Sequence, residues 1–518
     1  MNAPAEVNAS IDILFISPSN EKLGRFHRFV PRSVPLGVGI LSGYLMQFGF
    51  RPEIADEEIV TIDRSFLTDA MRRMTSPPVF GISTMTTNAM RAYAIAGIIK
   101  EIDAASIIIF GGIHPTVMPE EVMNNESIDF IVQGEGEQAI VDLMKQFKSG
   151  KVKFNDIRGL GYRDEQGVHV YTERDSKPFD INKLEMFPYQ MFNPLHYDLG
   201  FILSSRGCPF DCIFCSQRAI TRRRYRALDN QKTIEELKFL INDLGQKNIT
   251  FFDDYFTGDK KRVMQLCAMI REHRLHHKCS FGVQTRGDSI DREILTEMKQ
   301  SGFDSLMFGF ETSSNHLMKI INKKETVEDN INAIILAREI GFTVEATFIF
   351  GFPGEVYSDR IKALHIAKAI IDRARFNNAT PYPGTKLYEI AVSQNRLNVM
   401  HGWENFSSAG AVTASAFKRY DLPYCPEKTK PSDLIGQVFL ANLLFYMNTA
   451  NLKRLFNTKK KGSGKWFELP KQNRFNPVLW IDFLLLASNV FLRLIYYMLF
   501  SRECRRFFFD GFFREGKS

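Results

Sequence analysis

Two successive series of short apolar, β-rich runs constrain this chain more than any other feature. Each run is followed by a Gly-, Ser- or Asp-punctuated loop and then a helical stretch. In the first series the runs are Ile11 to Ser17, Phe50 to Ala55, Val79 to Ser83, Ile107 to Phe110 and Ile128 to Val132, with helical stretches such as Gly39 to Phe48 and Asn88 to Ile102 between them. Five strands alternating with helices predict an α/β domain: a doubly wound, Rossmann-like parallel sheet whose ligand lies beyond the C-terminal strand ends. The second series runs through Phe201 to Ser204, Ile249 to Phe252, Phe281 to Thr285, Ser305 to Gly309, Thr343 to Phe350 and Arg375 to Thr380. Its helices include Thr233 to Gly245 and Thr326 to Gly341, the latter opened by a capping-box pair, Thr326 and Asp329, and stopped by Gly341. Six βα units predict a full or partial barrel, in class terms a partial (β/α)6 barrel of TIM type with its chemistry at the C-terminal rim.

Between the two series, residues 151–195 lose the rhythm and gather Asp164, Gly167, Asp175, Pro178, Pro188 and Pro194, which reads as a linker. The expected organisation is a first domain over 1–150, the linker, a barrel over 196–394 and a mainly helical region over 395–518. Hydrophobic residues at 44% and charged residues at 24% exclude a disordered, fibrous or multi-span chain. A net charge of +7 spread over 518 residues does not call for a nucleic-acid partner. Seven cysteines are odd in number and too sparse for a disulfide scaffold, and Met1 to Ser10 shows no export signal, so a reducing cytoplasm is the expectation.

In the helical region, Leu434 to Met447 and Pro477 to Phe500 stand out. The second is very apolar, but Asp482 and Arg493 interrupt it, leaving runs too short to span a bilayer. At helical period Asp482, Asn489, Arg493 and Tyr496 fall on one narrow stripe, with apolar residues opposite. Two readings stand: a core helix or lid on the barrel mouth, or an interfacial helix making peripheral contact with the inner membrane face. The second would use Lys459, Lys460 and Lys461 upstream and Arg502, Arg505 and Arg506 downstream as its basic flanks.

The strongest chemical signal is Ser204-Ser205-Arg206-Gly207-Cys208-Pro209-Phe210-Asp211-Cys212-Ile213-Phe214-Cys215, directly after the first strand of the second series. Three cysteines spaced C-x3-C-x2-C lie on one loop that can aim their sulfurs at a common point. Thiolates suit zinc or an iron–sulfur cluster. A structural zinc site closes with a fourth Cys or His, usually from a second paired motif, and Cys267, Cys279, Cys425 and Cys504 do not supply one. Three ligands on a four-iron cluster leave one iron open to substrate.

This spacing at the end of a first barrel strand resembles the radical S-adenosylmethionine (SAM) superfamily over roughly residues 200 to 390. The resemblance implies that Cys208, Cys212 and Cys215 hold a [4Fe–4S] cluster whose open iron chelates the amino and carboxylate groups of SAM, with Phe214 near the adenine. It places Asp253 and Asp254, after the second strand, at the SAM amino group; a helix N-cap at Asp254 is the competing reading. Arg286, after the third strand, would pair with the SAM carboxylate or else lie on the surface, and Glu311, after the fourth, would approach the ribose. Thr347-Phe348-Ile349-Phe350-Gly351-Phe352-Pro353-Gly354 resembles the adenine segment GxIxGxxG, carried here by Ile349 and Gly351 and departing at Thr347. Pro381-Tyr382-Pro383-Gly384-Thr385 would close the site.

The front domain resembles the cobalamin-binding domain that precedes some radical SAM barrels. The match rests on Ser83 and Thr84 after the third strand, Gly111, Gly112 and His114 after the fourth, and Gly134, Glu135, Gly136 and Glu137 after the fifth. Those glycines would admit a flat corrin ring; Glu135 or Glu137 would accept from its amides or cap the next helix. The first-strand loop, Ser17-Pro18-Ser19-Asn20-Glu21-Lys22, lacks the D-x-H-x-x-G histidine, which implies a His-off, base-off cobalamin and leaves His114 as a loop residue near the corrin, with cobalt ligation as the alternative.

The resemblance as a whole implies a cobalamin-dependent radical SAM enzyme, foremost a C-methyltransferase. Its 5′-deoxyadenosyl radical would activate an unreactive carbon that then takes a methyl group from methylcobalamin. The alternatives are a radical cyclisation or oxidation of the porphyrin-ester-cyclase kind, and a non-catalytic cobalamin sensor. A small-molecule substrate is implied, with the apolar C-terminus favouring a lipid, isoprenoid or tetrapyrrole. Arg218, Arg222, Arg223, Arg224 and Arg226 would either dock an acidic electron donor such as flavodoxin or ferredoxin, or form a solvated basic face.

Overall fold

The computed structural model describes residues 10–19, 32–150, 153–400, 402–415, 420–447 and 477–513, the side chains of 477–483 and 513 excepted. Asn20 to Lys22, Lys459 to Lys461 and the side chain of Asp482 therefore lie outside the described residues.

The first series folds into β1 (Ile13–Ser17), β2 (Pro52–Asp56), β3 (Val79–Ser83), β4 (Ile107–Gly111) and β5 (Phe130–Val132), all parallel, in the spatial order β2-β1-β3-β4-β5. Nearly every strand residue is buried, because helices cover both faces of the sheet. The order reverses between β1 and β3, which opens a crevice beyond their C-terminal ends. Here the structure corrects the linker reading: β6 (Leu160–Arg163) and β7 (His169–Tyr171) add an antiparallel hairpin to the β5 edge. The turn at Asp164 and Gly167 that looked like a connector is the hairpin's own.

The second series gives β8 (Phe201–Ile202), two short paired strands β9 (Ser205–Arg206) and β10 (Arg226–Ala227), and then β11 (Asn248–Phe251), β12 (Ser280–Thr285), β13 (Phe303–Glu311), β14 (Thr343–Phe350) and β15 (Arg373–Asn378). Six of these form one all-parallel sheet in the order β15-β14-β13-β12-β11-β8, open between β15 and β8. One face of each strand packs on the outer helices; Val344, Ala346, Phe348, Phe350, Ala374 and Phe376 share a core with Ala333, Ala337 and Leu364. The expected capping box is present: Thr326 Oγ1 accepts from Asp329 N, and Asp329 Oδ2 accepts from Thr326 N. Gly341 ends that helix in the left-handed region.

Helix Pro431–Tyr446 covers the open β15 edge. Asn442 donates to Phe376 O at 2.8 Å and accepts from Phe376 N at 3.1 Å, and Tyr446 Oη donates to Ala374 O at 3.0 Å, so side chains satisfy the edge strand where a barrel would have another strand.

Behind β8, Tyr189 Oη donates to the buried Glu236 at 2.7 Å. Burial pushes the Glu236 carboxyl up from its ordinary value near 4.5 to about 7. The folded chain thus holds a proton there that the unfolded chain releases, so this stabilisation is complete below about pH 4.5 and is lost as pH rises through about 7. Thermal unfolding followed from about pH 5 to pH 8 is expected to show the Glu236→Gln variant losing less stability over that range than the parent; equal slopes would contradict the assignment.

Candidate active site

The cysteine loop follows β9 and is braced along its length. Gly207 opens it at φ +83°, where an added Cβ would stand 2.2 Å from Arg224 O; only glycine fits. Asp254 joins the two ends, accepting from Gly207 N at 2.8 Å and from Gln217 Nε2 at 2.7 Å. Mid-loop, Asn322 donates to Asp211 O at 2.9 Å, Ile213 N donates to Ile321 O at 3.0 Å, and Leu387 N donates to Ile213 O at 2.9 Å. Cys208, Cys212 and Cys215 are half-buried free thiols, near enough to influence one another's ionisation.

Burial pushes the Cys212 thiol up to about 12, against the pull of Lys323 and Arg286, and it raises Cys208 and Cys215 as well. Such thiols are poor nucleophiles, whereas coordination to a metal deprotonates them outright. Among the described residues no three His, Cys, Asp or Glu side chains group tightly enough to ligate one ion. A three-thiol loop with no fourth ligand fits a multi-iron cluster better than tetrahedral zinc.

Around this loop the structure gathers several of the residues named from the sequence. Phe214 packs on Phe352, with ring centroids 5.4 Å apart, which brings the aromatic and the Gly351–Gly354 segment together. Glu355 Oε2 accepts from Gly351 N at 2.5 Å and pairs with Arg360 at 3.0 Å, while Arg360 Nε donates to Gln437. Ile349 stands on the inner face of β14, beside Asn377 of β15. Arg286 is no surface residue. It is buried, holds Asp288 through two hydrogen bonds of 2.9 and 2.7 Å, lies 3.6 Å from Glu325 and stacks over Phe210.

Glu311 sits at an irregularity of β13 against β14 with φ +63°, a strained conformation for a residue with a side chain. Its carboxylate lies 3.2 Å from Lys323 Nζ, which also lies 3.1 Å from Glu325. Lys323, Glu325 and Asp288 were not legible as site residues. Lys323 and Glu325 come from a loop with no motif, and its only signal is the left-handed backbone of Asn322 and Lys324, which is a structural fact.

Other residues named from the sequence have different work. Asp253 is fully buried and accepts from Ser204 N, Ser204 Oγ and Ser205 Oγ, each at 2.7 Å, so it shapes the approach to the loop from inside. Asp254 is no helix cap; Asp259 caps the following helix, Lys260–Glu272. In the front domain Gly112, at φ +104°, is required by the backbone of Thr84, whose O would meet a Cβ at 2.8 Å. Thr84 itself is buried, and Ser83 ends β3 half-exposed. Thr116 links the two glycine loops, donating to Gly112 O at 2.7 Å and accepting from Gly134 N at 2.8 Å. His114 is not an open loop residue. It is wholly buried, with Nε2 3.1 Å from Tyr93 Oη and its ring edge-on to Trp403, which reaches it from the C-terminal region.

Glu135 and Glu137 are the largest departure from expectation. Glu135 receives two 2.8 Å hydrogen bonds from Arg226, and Glu137 one of 2.6 Å from Arg206, while Gly136 occupies the cap position of helix Glu137–Ser149. Burial pushes the Glu135 carboxyl up, but Arg226 and Arg206 together hold it below its ordinary value. These carboxylates lock the front domain to β9 and β10. Gly384 reinforces the lock, since a Cβ there would lie 2.5 Å from Val117.

Of the arginines after the cluster, Arg218 pairs with Asp211 at 2.5 Å and Arg226 is used by the lock. Arg222, Arg223 and Arg224 remain exposed. Arg222 and Arg224 line a cleft of about 470 Å³ with Arg174 and Lys177, facing Asp142 and Asp175.

Residues 202–367 match the Radical SAM superfamily model, and residues 27–144 match that of the B12 binding domain. The chain belongs to the cobalamin-dependent radical SAM enzymes, whose cofactors are a [4Fe–4S] cluster, SAM and cobalamin. It is 30% identical over 391 residues to the uncharacterized methyltransferase PH0819 of Pyrococcus horikoshii, covering 73% of this chain and 82% of that one. It is 28% identical over 471 residues to the anaerobic magnesium-protoporphyrin IX monomethyl ester cyclase of Rubrivivax gelatinosus, covering 87% and 80%. Its fold is similar to that of the radical SAM methyltransferase TsrM from Kitasatospora setae with cobalamin and [4Fe–4S] cluster bound: TM-score 0.63, 18% identity, 82% and 80% coverage.

Proposed function

We propose that the protein is a C-methyltransferase acting on an unactivated carbon. Methyl transfer is supported by the similarity to the Pyrococcus methyltransferase, and the geometry adds the buried Glu135/Glu137–Arg206/Arg226 lock, which ties the strand-end loops of the cobalamin-type domain to the strand two residues ahead of Cys208. Chemistry shared between two cofactors needs their sites held at fixed separation, and a buried double ion pair supplies that.

When bound, the cofactors supply one-electron cleavage of SAM and a transferable methyl group. The chain's part is placement. Cys208, Cys212 and Cys215 would hold the cluster, and Phe214, Ile349 and Gly351 would frame the adenine. Arg286, fixed by Asp288, would meet the SAM carboxylate, and Glu311, fixed by Lys323, would meet the ribose. Asp254 would act on SAM through the loop it braces, and Asp253 would act one layer further back. For cobalamin, Ser83, Gly111 and Gly136 would be the facing residues, with Gly134 packed on Arg174 and with Thr84, Gly112 and His114 behind them.

A reductant such as flavodoxin or ferredoxin suits the exposed Arg222 to Arg224 face, and a cytoplasmic location suits such a donor. On the inner faces of β14 and β15 the sheet carries Arg373 and Arg375 against Glu345, which is 2.7 Å from Arg373. A lipid-like substrate and a peripheral position at the inner membrane face belong to the same reading.

Anaerobic reconstitution with iron, sulfide and cobalamin, followed by incubation with cell extract and CD3-labelled SAM, tests the reaction class. The expected result is a new product carrying the intact CD3 group, with 5′-deoxyadenosine and S-adenosylhomocysteine formed in equal amounts. Turnover of extract material without deuterium incorporation would favour instead a cyclisation, the reading that the similarity to the Rubrivivax cyclase supports.

A further inference from the structure

Helix Pro477–Phe500 turns two residues of its polar stripe, Asn489 and Arg493, inward. Arg493, only 4% exposed, donates to Ala411 O at 2.6 Å, Val412 O at 2.7 Å and Ala414 O at 3.1 Å, and its guanidinium stacks 4.1 Å from the Phe439 ring. Asn489 Nδ2 reaches Ala414 O at 3.4 Å. A soluble protein's surface helix does the reverse, burying its apolar side. Consequently Phe491 (61%), Leu499 (63%) and Phe500 (74%) face outward together with Leu484 and Ile495. Tyr496, assigned to the polar stripe by period, also faces out. Val490, Leu494 and Tyr497 pack on the barrel core beside Arg493, while the wider apolar side of the helix is turned away from it.

The following helix, Arg502–Phe513, turns back at 112° and presents Phe509 and Phe512 as well. Tyr357 Oη donates to Asp510 at 2.8 Å and Lys368 Nζ donates to Gly511 O at 3.0 Å, so this second helix is fastened to the barrel. Among the described residues no single helix is long and apolar enough to cross a membrane.

We infer that the outer face of this bent helix pair is a docking surface for the interface of an anionic bilayer. Charge complementarity selects that occupant. Arg502 and Arg506 are exposed at the bend and beyond it, and the chain leading into the pair, residues 448–476, has eight Lys or Arg against the single acidic Glu468 in its sequence. Apolar side chains that enter the acyl boundary, flanked by cations at headgroup level, are the two elements of interfacial binding. The surface adjoins the site. Ala411 N donates to Asn378 Oδ1 at the end of β15, and Leu434 of the helix packed beneath the pair crowds Gly351. The inference deepens the peripheral membrane position in the proposed function, rests on exposure and charge, and is independent of the reaction class.

The test is flotation of the full-length holoprotein with vesicles of phosphatidylcholine alone and of phosphatidylcholine with phosphatidylglycerol. Co-flotation with the anionic vesicles, weakened by salt, is expected, and a Leu499→Glu/Phe500→Glu variant should lose about tenfold or more in vesicle affinity while cleaving SAM like the parent. Absence of flotation with either vesicle, or equal flotation of the variant, would overturn the inference. So would a parent dimer that the variant dissociates, since a second copy would then be the occupant.

Discussion

Replacing Cys212 with alanine is expected to lower SAM cleavage more than about 100-fold, beyond the range that loss of an outer-sphere contact to a metal ligand costs, while cobalamin binding persists. The physical reason lies in the loop. Its backbone hydrogen bonds, from Gly207 N, Ile213 N and Ile213 O, are satisfied by Asp254, Ile321 and Leu387 and do not involve the thiol, so the substitution removes a ligand without removing the scaffold. Two ligands cannot hold a four-iron cluster open at one corner. The checks are iron content and the cluster's visible absorption after anaerobic reconstitution, 5′-deoxyadenosine formation, and the spectrum of bound cobalamin. A variant that still cleaves SAM would remove the radical SAM assignment of this loop, and unchanged output of every kind would point to the sensor reading.

Breaking the interdomain lock is expected to be the most destabilising single change outside the hydrophobic cores. Glu137→Ala leaves Arg206 buried opposite a diminished partner, because Glu135 lies 3.5 Å from it and is already committed to Arg226. Leaving a buried charge uncompensated costs about 3–5 kcal/mol, whereas exchanging both members for apolar residues is often neutral. The double variant Arg206→Met/Glu137→Leu should therefore recover most of the stability lost in the single variant, as read from denaturant midpoints. It should not recover transfer, since apolar packing does not fix the register of the two loops as the ion pairs do. Methyl transfer falling further than SAM cleavage in the double variant is the signature of a positioning role. A single variant that loses less than about 1 kcal/mol, the size of an exposed pair, would show that the lock is peripheral.

Both variants act on contacts of different visibility in the sequence. The cysteine loop was legible because its ligands lie within eight residues and one local turn presents them all. The strands and the capped helix at Thr326 were legible for the same reason: alternation, capping and glycine stops are properties of neighbours. The β6–β7 hairpin was missed because its strands are short and mixed in polarity, and they are strands only by pairing with β5. Asp253 and Asp254 stood out in the sequence, but which carboxylate turns to Ser204 and which to Gly207 was not legible there, since that depends on how β11 meets the loop.

The sequence by itself determined the two βα domains, the three-thiol loop at the head of the second, and the polar stripe of the last long helix, because each is a pattern repeated within one or two turns of chain. Tertiary structure alone decided that Glu135 and Glu137 pair with Arg226 and Arg206, that Arg286 is buried among Asp288, Glu325 and Lys323, and that Asn489 and Arg493 of the stripe face inward. Those choices join residues up to 91 positions apart. A buried charge must find its counter-charge wherever packing brings one, and no local period records where that will be.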